Sequence, residues 1–263
     1  MAEAISSPDN EKVKYLRSLR DPQGRQRARH FLVEGVRLLE EALDAGWRPD
    51  LILADEKALT RTPRGTALLG RLAQIGFWPA SPRALRAAAE TVTPQGVVAA
   101  LPLPEPLAVD SDGQTALVVD GVADPGNLGT ILRTAEAAGA RPVLLAPGTT
   151  DAFAPKVVRA GMGAHFRLPL LTGDWDQIDA QLAGRTVWLA EAGEGRAYYE
   201  IDWRRPSALI VGGEANGPGR EARDRADGKV TIPMQGPTES LNAAVAAAVI
   251  LFEALRQRLL RTA

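Results

Sequence analysis

Three segments of this chain set polar side chains and glycines directly after apolar runs, and each arrangement suits the handling of a small ligand. In the first, VVDGVADPGNLGTILRTAEAAGA (118–140), the apolar run gives way to Pro125-Gly126-Asn127, which reads as a turn, and then to a helix expected over 128–139. Asn127 is expected to cap that helix, whose first amides offer donors to an anion or a carboxylate. Arg133 lies one turn further in; by itself it reads equally well as a surface cation. The second segment, LIVGGEANGPG (209–219), holds Gly212, Gly213, Gly217 and Gly219 around Glu214. It reads as an irregular loop that exposes backbone to a ligand, or as a wide turn on a sheet rim. Its spacing is not the dinucleotide fingerprint G-x-G-x-x-G. The third, TIPMQGPTESLNAAVA (231–246), opens a helix that Glu239 or Ser240 is expected to start, with Asn242 in its first turn, where asparagine has poor helix propensity. Ile232, Met234 and Leu241 are core-like in type and suited to wall a pocket for a flat apolar ring.

The elements that must position these segments follow from periodicity. TALVVDGV (115–122), PVLLA (142–146), TVWLA (186–190), SALIVGG (207–213) and KVTI (229–232) read as strands separated by helical stretches. The first is continuously apolar, as in a strand buried on both faces. Such alternation implies an α/β fold with a mostly parallel sheet, whose ligands bind at the carboxyl ends of the strands. In the closing helix, Leu241, Val245, Ala248, Phe252, Leu255 and Leu259 recur at helical spacing, and 243–252 is apolar all round, so burial of its first half is expected. Upstream, FLVEG (31–35), LILA (51–54), FWPA (77–80) and GVVAAL (96–101) read as strands of a second, smaller α/β unit, with helices from Val36 to a stop at Gly46, over about 56–75, and over 83–90. Pro102, Pro104 and Pro106, with a turn at Asp110-Ser111-Asp112-Gly113, set a boundary near 105. The expected domains are therefore 1–105 and 106–263.

Composition narrows the chemistry. The 263 residues are 45% hydrophobic and 24% charged, the balance of a globular protein with a real core. No cysteine is present and only two histidines, His30 and His165, which excludes thiol nucleophiles, disulfides and cysteine-ligated metal. Both histidines read as structural or surface residues. No metal, no secretory signal and no membrane span is expected, and a cytoplasmic location fits. The net charge of −1 hides an asymmetry: residues 12–37 carry Lys12, Lys14, Arg17, Arg20, Arg25, Arg27, Arg29 and Arg37 against Asp21 and Glu34, a local charge of +6. A polyanion is the expected partner of this front end, the alternative being a solvated basic face. Tyr15 and His30 are rings available for stacking, whereas Phe31 reads as core. Lys156 and Arg159 read equally as contacts to that polyanion or as solvent-facing cations.

Taken together and in this order, the three segments make the chain resemble the SpoU/TrmH-type family of RNA ribose 2′-O-methyltransferases, of the SPOUT class. The family pattern N-x-G-x-x-x-R falls on Asn127, Gly129 and Arg133; G-x-E-x-x-G falls on Gly212, Glu214 and Gly217; I-P-M and S-L-N fall on Ile232-Pro233-Met234 and Ser240-Leu241-Asn242. The likeness spans roughly 115–260, and KVVRAGMGA (156–164) looks like the segment between the family's first two motifs. The front part, with FLVEGVRLLEEAL, is similar to the ribosomal-protein-L30e-like substrate-binding domain.

The resemblance implies a deep trefoil knot, a homodimer through the C-terminal domain with its active site near the interface, and S-adenosyl-L-methionine as cofactor. It implies Arg133, Asn127, Glu214, Ser240 and Asn242 as the catalytic set, and Gly212, Ile232, Met234, Leu241 and Gly217 as cofactor contacts. The implied reaction is methylation of a ribose 2′-hydroxyl in RNA, ribosomal RNA before transfer RNA. The alternative is a non-catalytic RNA-binding or ribosome-assembly protein on the same fold. Whether Arg133 acts as base, clamps a phosphate or stabilises an alkoxide is left open by the residues themselves, although a guanidinium is a poor base by itself.

Overall fold

The computed structural model describes residues 4–105, 115–213 and 217–260. They form two compact units: one holds the described residues up to Glu105 together with Phe153–Phe166, the other holds the rest. The turn expected at Asp110-Ser111-Asp112-Gly113 lies outside the described residues.

The first unit opens with α1 (Glu11–Ser18), capped by Asn10 Oδ1 accepting from the Lys12 amide at 2.9 Å, and α2 (Pro22–Ala28). Then come β1 (His30–Glu34), α3 (Val36–Asp44), β2 (Leu51–Ala54), α4 (Glu56–Leu59), α5 (Pro63–Ile75), β3 (Trp78–Pro79), α6 (Pro82–Ala88) and β4 (Val97–Pro102). The single helix expected over 56–75 is two. Proline cannot donate to the turn before it, so a new helix begins at Pro63, with Thr62 capping it through Gly65 N. The strands pair in the order β1-β4-β2-β3. Their apolar runs are continuous because both faces are covered: Phe31, Val33, Ile52, Val97 and Ala99 enter one core, and Leu32, Leu53, Val98 and Ala100 the other.

Two of the eight front-end cations are structural. Arg25 is 2% exposed and donates to the carbonyls of Leu19 and Arg20 at 2.9 and 2.7 Å. Arg20 donates to the carbonyls of Ala87 and Ala89. Lys12 lies 4.1 Å over the Trp78 ring. Lys14, Arg17, Arg27, Arg29 and Arg37 are exposed.

The second unit begins with β5 (Ala116–Asp120), α7 (Pro125–Ala138) and β6 (Val143–Leu145). After α8 (Pro155–Ala160), which belongs to the first unit, it continues through β7 (Leu170–Thr172), α9 (Trp175–Leu182), β8 (Thr186–Ala190), β9 (Arg196–Ala197), β10 (Ser207–Gly212), α10 (Arg220–Asp224), β11 (Gly228–Thr231) and α11 (Ala243–Leu259). Its seven strands run in the order β7-β6-β5-β10-β8-β11-β9, every pair parallel. Gly212 of β10 stands opposite Asp120 of β5, and Leu189 of β8 opposite Ile210 and Lys229. Parallel register brings the carboxyl ends of β5, β10, β8 and β11 to one edge.

The closing helix corrects an expectation. Its buried face is Ala243, Ala244, Ala247, Ile250, Leu251 and Ala254, and α11 packs against α7. The stripe singled out by periodicity is instead the uncovered one: Val245 is 48%, Phe252 47% and Leu259 60% exposed. Small alanines let two helices approach closely, and the larger side chains are turned outward.

Candidate active site

Asp120 ends β5 and turns its carboxylate onto the glycine-rich loop that follows β10, accepting from Gly219 N at 2.6 Å. The chain then reaches Asp124, whose side chain caps α7 by accepting from Asn127 N at 2.8 Å. Asn127 is therefore not the cap. It sits third in a helix that already starts at Pro125, and Pro125-Gly126-Asn127 is that helix's first turn rather than a separate one. Its amide N–H goes to Asp124, and its side-chain oxygen takes a different partner.

That partner is Asn242. It is the N-cap of α11 itself, in place of Glu239 or Ser240, and accepts from Ala244 N at 2.9 Å and Val245 N at 3.3 Å. Its carboxamide nitrogen donates to Asn127 Oδ1 at 3.1 Å. One asparagine thus starts a helix and joins two helix N-termini, satisfying amides that would otherwise lack acceptors.

Beside this junction the carboxyl ends of β8, β10 and β11 enclose a cavity of about 330 Å³. Gly212, Gly217, Ile232, Met234, Ser240 and Leu241 all line it. Ile232 and Met234 are half-buried and Leu241 is exposed, so none of the three is a core residue. The glycines are required by close approach. A Cβ on Gly212 would lie 2.2 Å from Pro218 N, and one on Gly213 2.2 Å from Gly121 O. Gly217 has φ +62°. The wall is apolar where Val211, Ile232, Leu241 and Ile250 meet it, with main chain between them. Flat apolar surface beside exposed backbone donors and acceptors fits an adenosyl group, which requires both.

Two charged residues of the lining escaped sequence reasoning. Glu191, directly after β8, binds Arg223, and Lys229 Nζ lies 2.8 Å from its other oxygen. Partial burial pushes this carboxyl up, but the hydrogen bonds and charges of Lys229 and Arg223 outweigh that and hold it below the ordinary carboxylate range. Nothing in WLAEAGEG marks Glu191 as special. Asp124, in contrast, carried a readable signal: an acidic residue directly before a proline is a helix start.

Arg133 stands apart from the cavity lining. It is exposed on α7 and makes no ion pair or side-chain hydrogen bond among the described residues. Glu214 lies outside the described residues. His165 is buried, and His30 bonds Ala28 O and Asp50 through its two ring nitrogens, both at 2.6 Å. Arg159 pairs with Glu90, and Lys156 is exposed. Phe31 is core, packed edge-on to Trp47. Among the described residues no helix is long and apolar enough to cross a membrane.

Comparison with known proteins adds to this geometry. Residues 114–252 match the SpoU rRNA Methylase family, and residues 10–99 match the MRM3-like substrate binding domain. The 23S rRNA (guanosine(2553)-2′-O)-methyltransferase RlmP of Bacillus subtilis (strain 168) is 36% identical over 253 residues, covering 94% of this chain and 97% of that one. Among solved structures, the AdoMet-bound rRNA methyltransferase from Sinorhizobium meliloti superposes with a TM-score of 0.84 at 32% identity, covering 97% of each chain. The SpoU methyltransferase AviRb from Streptomyces viridochromogenes, in complex with AdoMet, gives 0.82 at 30% identity over 95% of this chain and 98% of that one.

Proposed function

The chain belongs to the SpoU rRNA methylase family, and from that premise we propose that it methylates a ribose 2′-hydroxyl of ribosomal RNA with S-adenosylmethionine as donor. The observation that carries this reading is the hydrogen bond between Asn242 and Asn127 at the edge of a cavity lined by Gly212, Gly217, Ile232 and Leu241. Residues of three separate motifs meet there.

Bound S-adenosylmethionine supplies an electrophilic methyl group on a sulfonium; the protein's work is orientation and electrostatics. Ile232, Met234 and Leu241 offer apolar contact to adenine, and Gly212 and Gly217 leave the main chain open to it. Asn127 and Asn242 hold each other's side chains and so fix the polar margin where the ribose is to be positioned. Ser240 and Glu214 complete the proposed polar set. Arg133 contributes a permanent charge and a planar fork of donors, suited to the phosphate beside the target ribose and to negative charge developing on its 2′-oxygen.

The position of Arg133 outside the cavity lining supports a site completed in a homodimer. The uncovered stripe of Val245, Phe252 and Leu259 on α11 supports that dimer, since a stripe of this kind on a monomer invites a partner. The order β6-β5-β10-β8-β11 is consistent with the knotted topology expected of the family. Residues 1–105 are taken as the RNA-binding part, with Lys14, Arg17, Arg27, Arg29 and Arg37 as phosphate contacts. A ribosomal RNA substrate fits a cytoplasmic location.

The test is transfer of label from methyl-tritiated S-adenosylmethionine to deproteinised ribosomal RNA, followed by alkaline hydrolysis. A 2′-O-methyl group blocks the internal attack that cleaves the chain, so the label is expected in an alkali-resistant dinucleotide. Label recovered in mononucleotides would assign the methyl group to a base and refute the reading.

A further inference from the structure

A carboxylate lines the proposed cofactor cavity without a part in the chemistry above. Glu191 follows the last residue of β8, at the carboxyl end of a central strand, and its side chain is 18% exposed. Arg223 holds one of its oxygens and Lys229 the other. Both cations are anchored elsewhere too. Arg223 Nε donates to Pro218 O at 3.2 Å, which ties Glu191 to the glycine-rich loop, and Lys229 reaches Glu194 at 2.6 Å. The carboxylate is therefore fixed in place relative to two walls of the cavity.

An ionised carboxylate offers about four lone-pair positions; Oε2, against Lys229, is fully buried, so the acceptor capacity left for the cavity is that of Oε1. Its remaining partner must be a donor. A further cation is disfavoured, because Arg223 and Lys229 already compensate the charge. An adenine ring is better matched by the apolar surface of Ile232, Leu241 and Ile250 than by an ion-pair network. Two neighbouring hydroxyls remain. They present neutral donors within reach of one carboxylate oxygen, the way an acidic residue beyond a parallel strand takes an adenosine ribose in dinucleotide-binding sheets.

We infer that Glu191, through Oε1, accepts hydrogen bonding from the ribose hydroxyls of the cofactor's adenosyl group, with Arg223 and Lys229 as the residues that position it. This assignment rests on the methyltransferase reading. It makes Glu191 a determinant of cofactor binding and leaves the methyl-transfer step to other groups.

The experiment is calorimetric titration of the full-length protein with S-adenosylhomocysteine and with its 2′,3′-dideoxy analogue, for the wild type and for Glu191→Gln. The wild type is expected to lose roughly tenfold to a hundredfold in affinity when the hydroxyls are removed, the range for hydrogen bonds to a charged group. Glu191→Gln is expected to lose a similar factor on S-adenosylhomocysteine and to bind the dideoxy analogue as the wild type does, so that the two changes are not additive. Equal binding of both ligands by the wild type would overturn the assignment. So would a Glu191→Gln protein that loses the same factor on both ligands, because the carboxylate would then only shape the cavity. Failure of the wild type to bind S-adenosylhomocysteine at all would remove the methyltransferase reading itself, and this assignment with it.

Discussion

Asn242 Nδ2 donates to Asn127 Oδ1 at 3.1 Å, while Asn242 Oδ1 accepts from the first amides of α11. The two ends of one carboxamide therefore do different work, and substitution separates them. Asn242→Asp keeps an acceptor for the helix amides but loses the donor and turns a negative charge toward Asn127 Oδ1. It is expected to retain thermal stability and lose methyl transfer. Asn242→Ala loses both and is expected to cost about 1 kcal/mol of stability as well, the usual penalty of a missing cap. Thermal melts and transfer rates measured side by side check both. Full activity in Asn242→Asp would show that only the cap matters.

Arg133 is exposed and makes no ion pair or side-chain hydrogen bond among the described residues, so Arg133→Ala is expected to melt with the wild type. Its transfer rate is expected to fall by about a thousandfold, equivalent to roughly 4 kcal/mol of lost transition-state stabilisation. Affinity for S-adenosylhomocysteine is expected to stay unchanged. Arg133→Lys keeps the charge without the fork, and near-inactivity is expected there also. A lysine variant with most of the wild-type rate would reduce the requirement to charge alone.

The front-end cations divide by burial. Arg17→Glu with Arg27→Glu is expected to weaken RNA binding and flatten its dependence on salt, with no change in melting. Arg25→Ala is expected to destabilise the fold by about 2–3 kcal/mol, because buried carbonyls lose a charged donor. Filter binding across a salt series and thermal melts discriminate the two classes.

The uncovered stripe of α11 is expected to be a subunit interface. Phe252→Glu places a charge in the middle of it, and light scattering at micromolar concentration is expected to show a monomer with reduced methyl transfer. A wild-type protein that is monomeric and active would contradict both the interface and the completion of the site by a second copy.

Acid is expected to act on the packing of α11. Glu253 carries hydrogen bonds from Arg256 and Gln257, and these hold its carboxyl below the ordinary range despite partial burial. A carboxyl lowered in the folded state stabilises the protein above its unfolded value, near 4.3, and that contribution is lost as the pH falls through the lowered folded value. Melting temperature is therefore expected to decline on acidification below the ordinary carboxylate range, with a shallower decline in Glu253→Gln. Parallel profiles for the two proteins would contradict this.

Much of the molecule was legible in its residues. The buried strands announced themselves as apolar runs, because both faces of each sheet are covered. The three motif segments converge because parallel strands carry their carboxyl ends to one edge. Three things were not legible. Periodicity marks the apolar faces of α11 but does not say which one its own chain covers; the alanine face won because it can approach α7 closely. Cation count does not distinguish Arg25, folded back onto main-chain carbonyls, from Arg27, which is exposed. Glu191 is an ordinary acidic residue until the fold brings Arg223 and Lys229 to its oxygens, from positions more than thirty residues away in the chain.

Ribose methylation by this protein is tested most directly by mapping 2′-O-methyl groups in ribosomal RNA by mass spectrometry, in cells with the gene, without it, and with the gene restored as Arg133→Ala. One ribose methyl group is expected to vanish on deletion, to return with the wild-type gene, and to stay absent with the variant. An identical set of ribose methyl groups in all three would contradict the account.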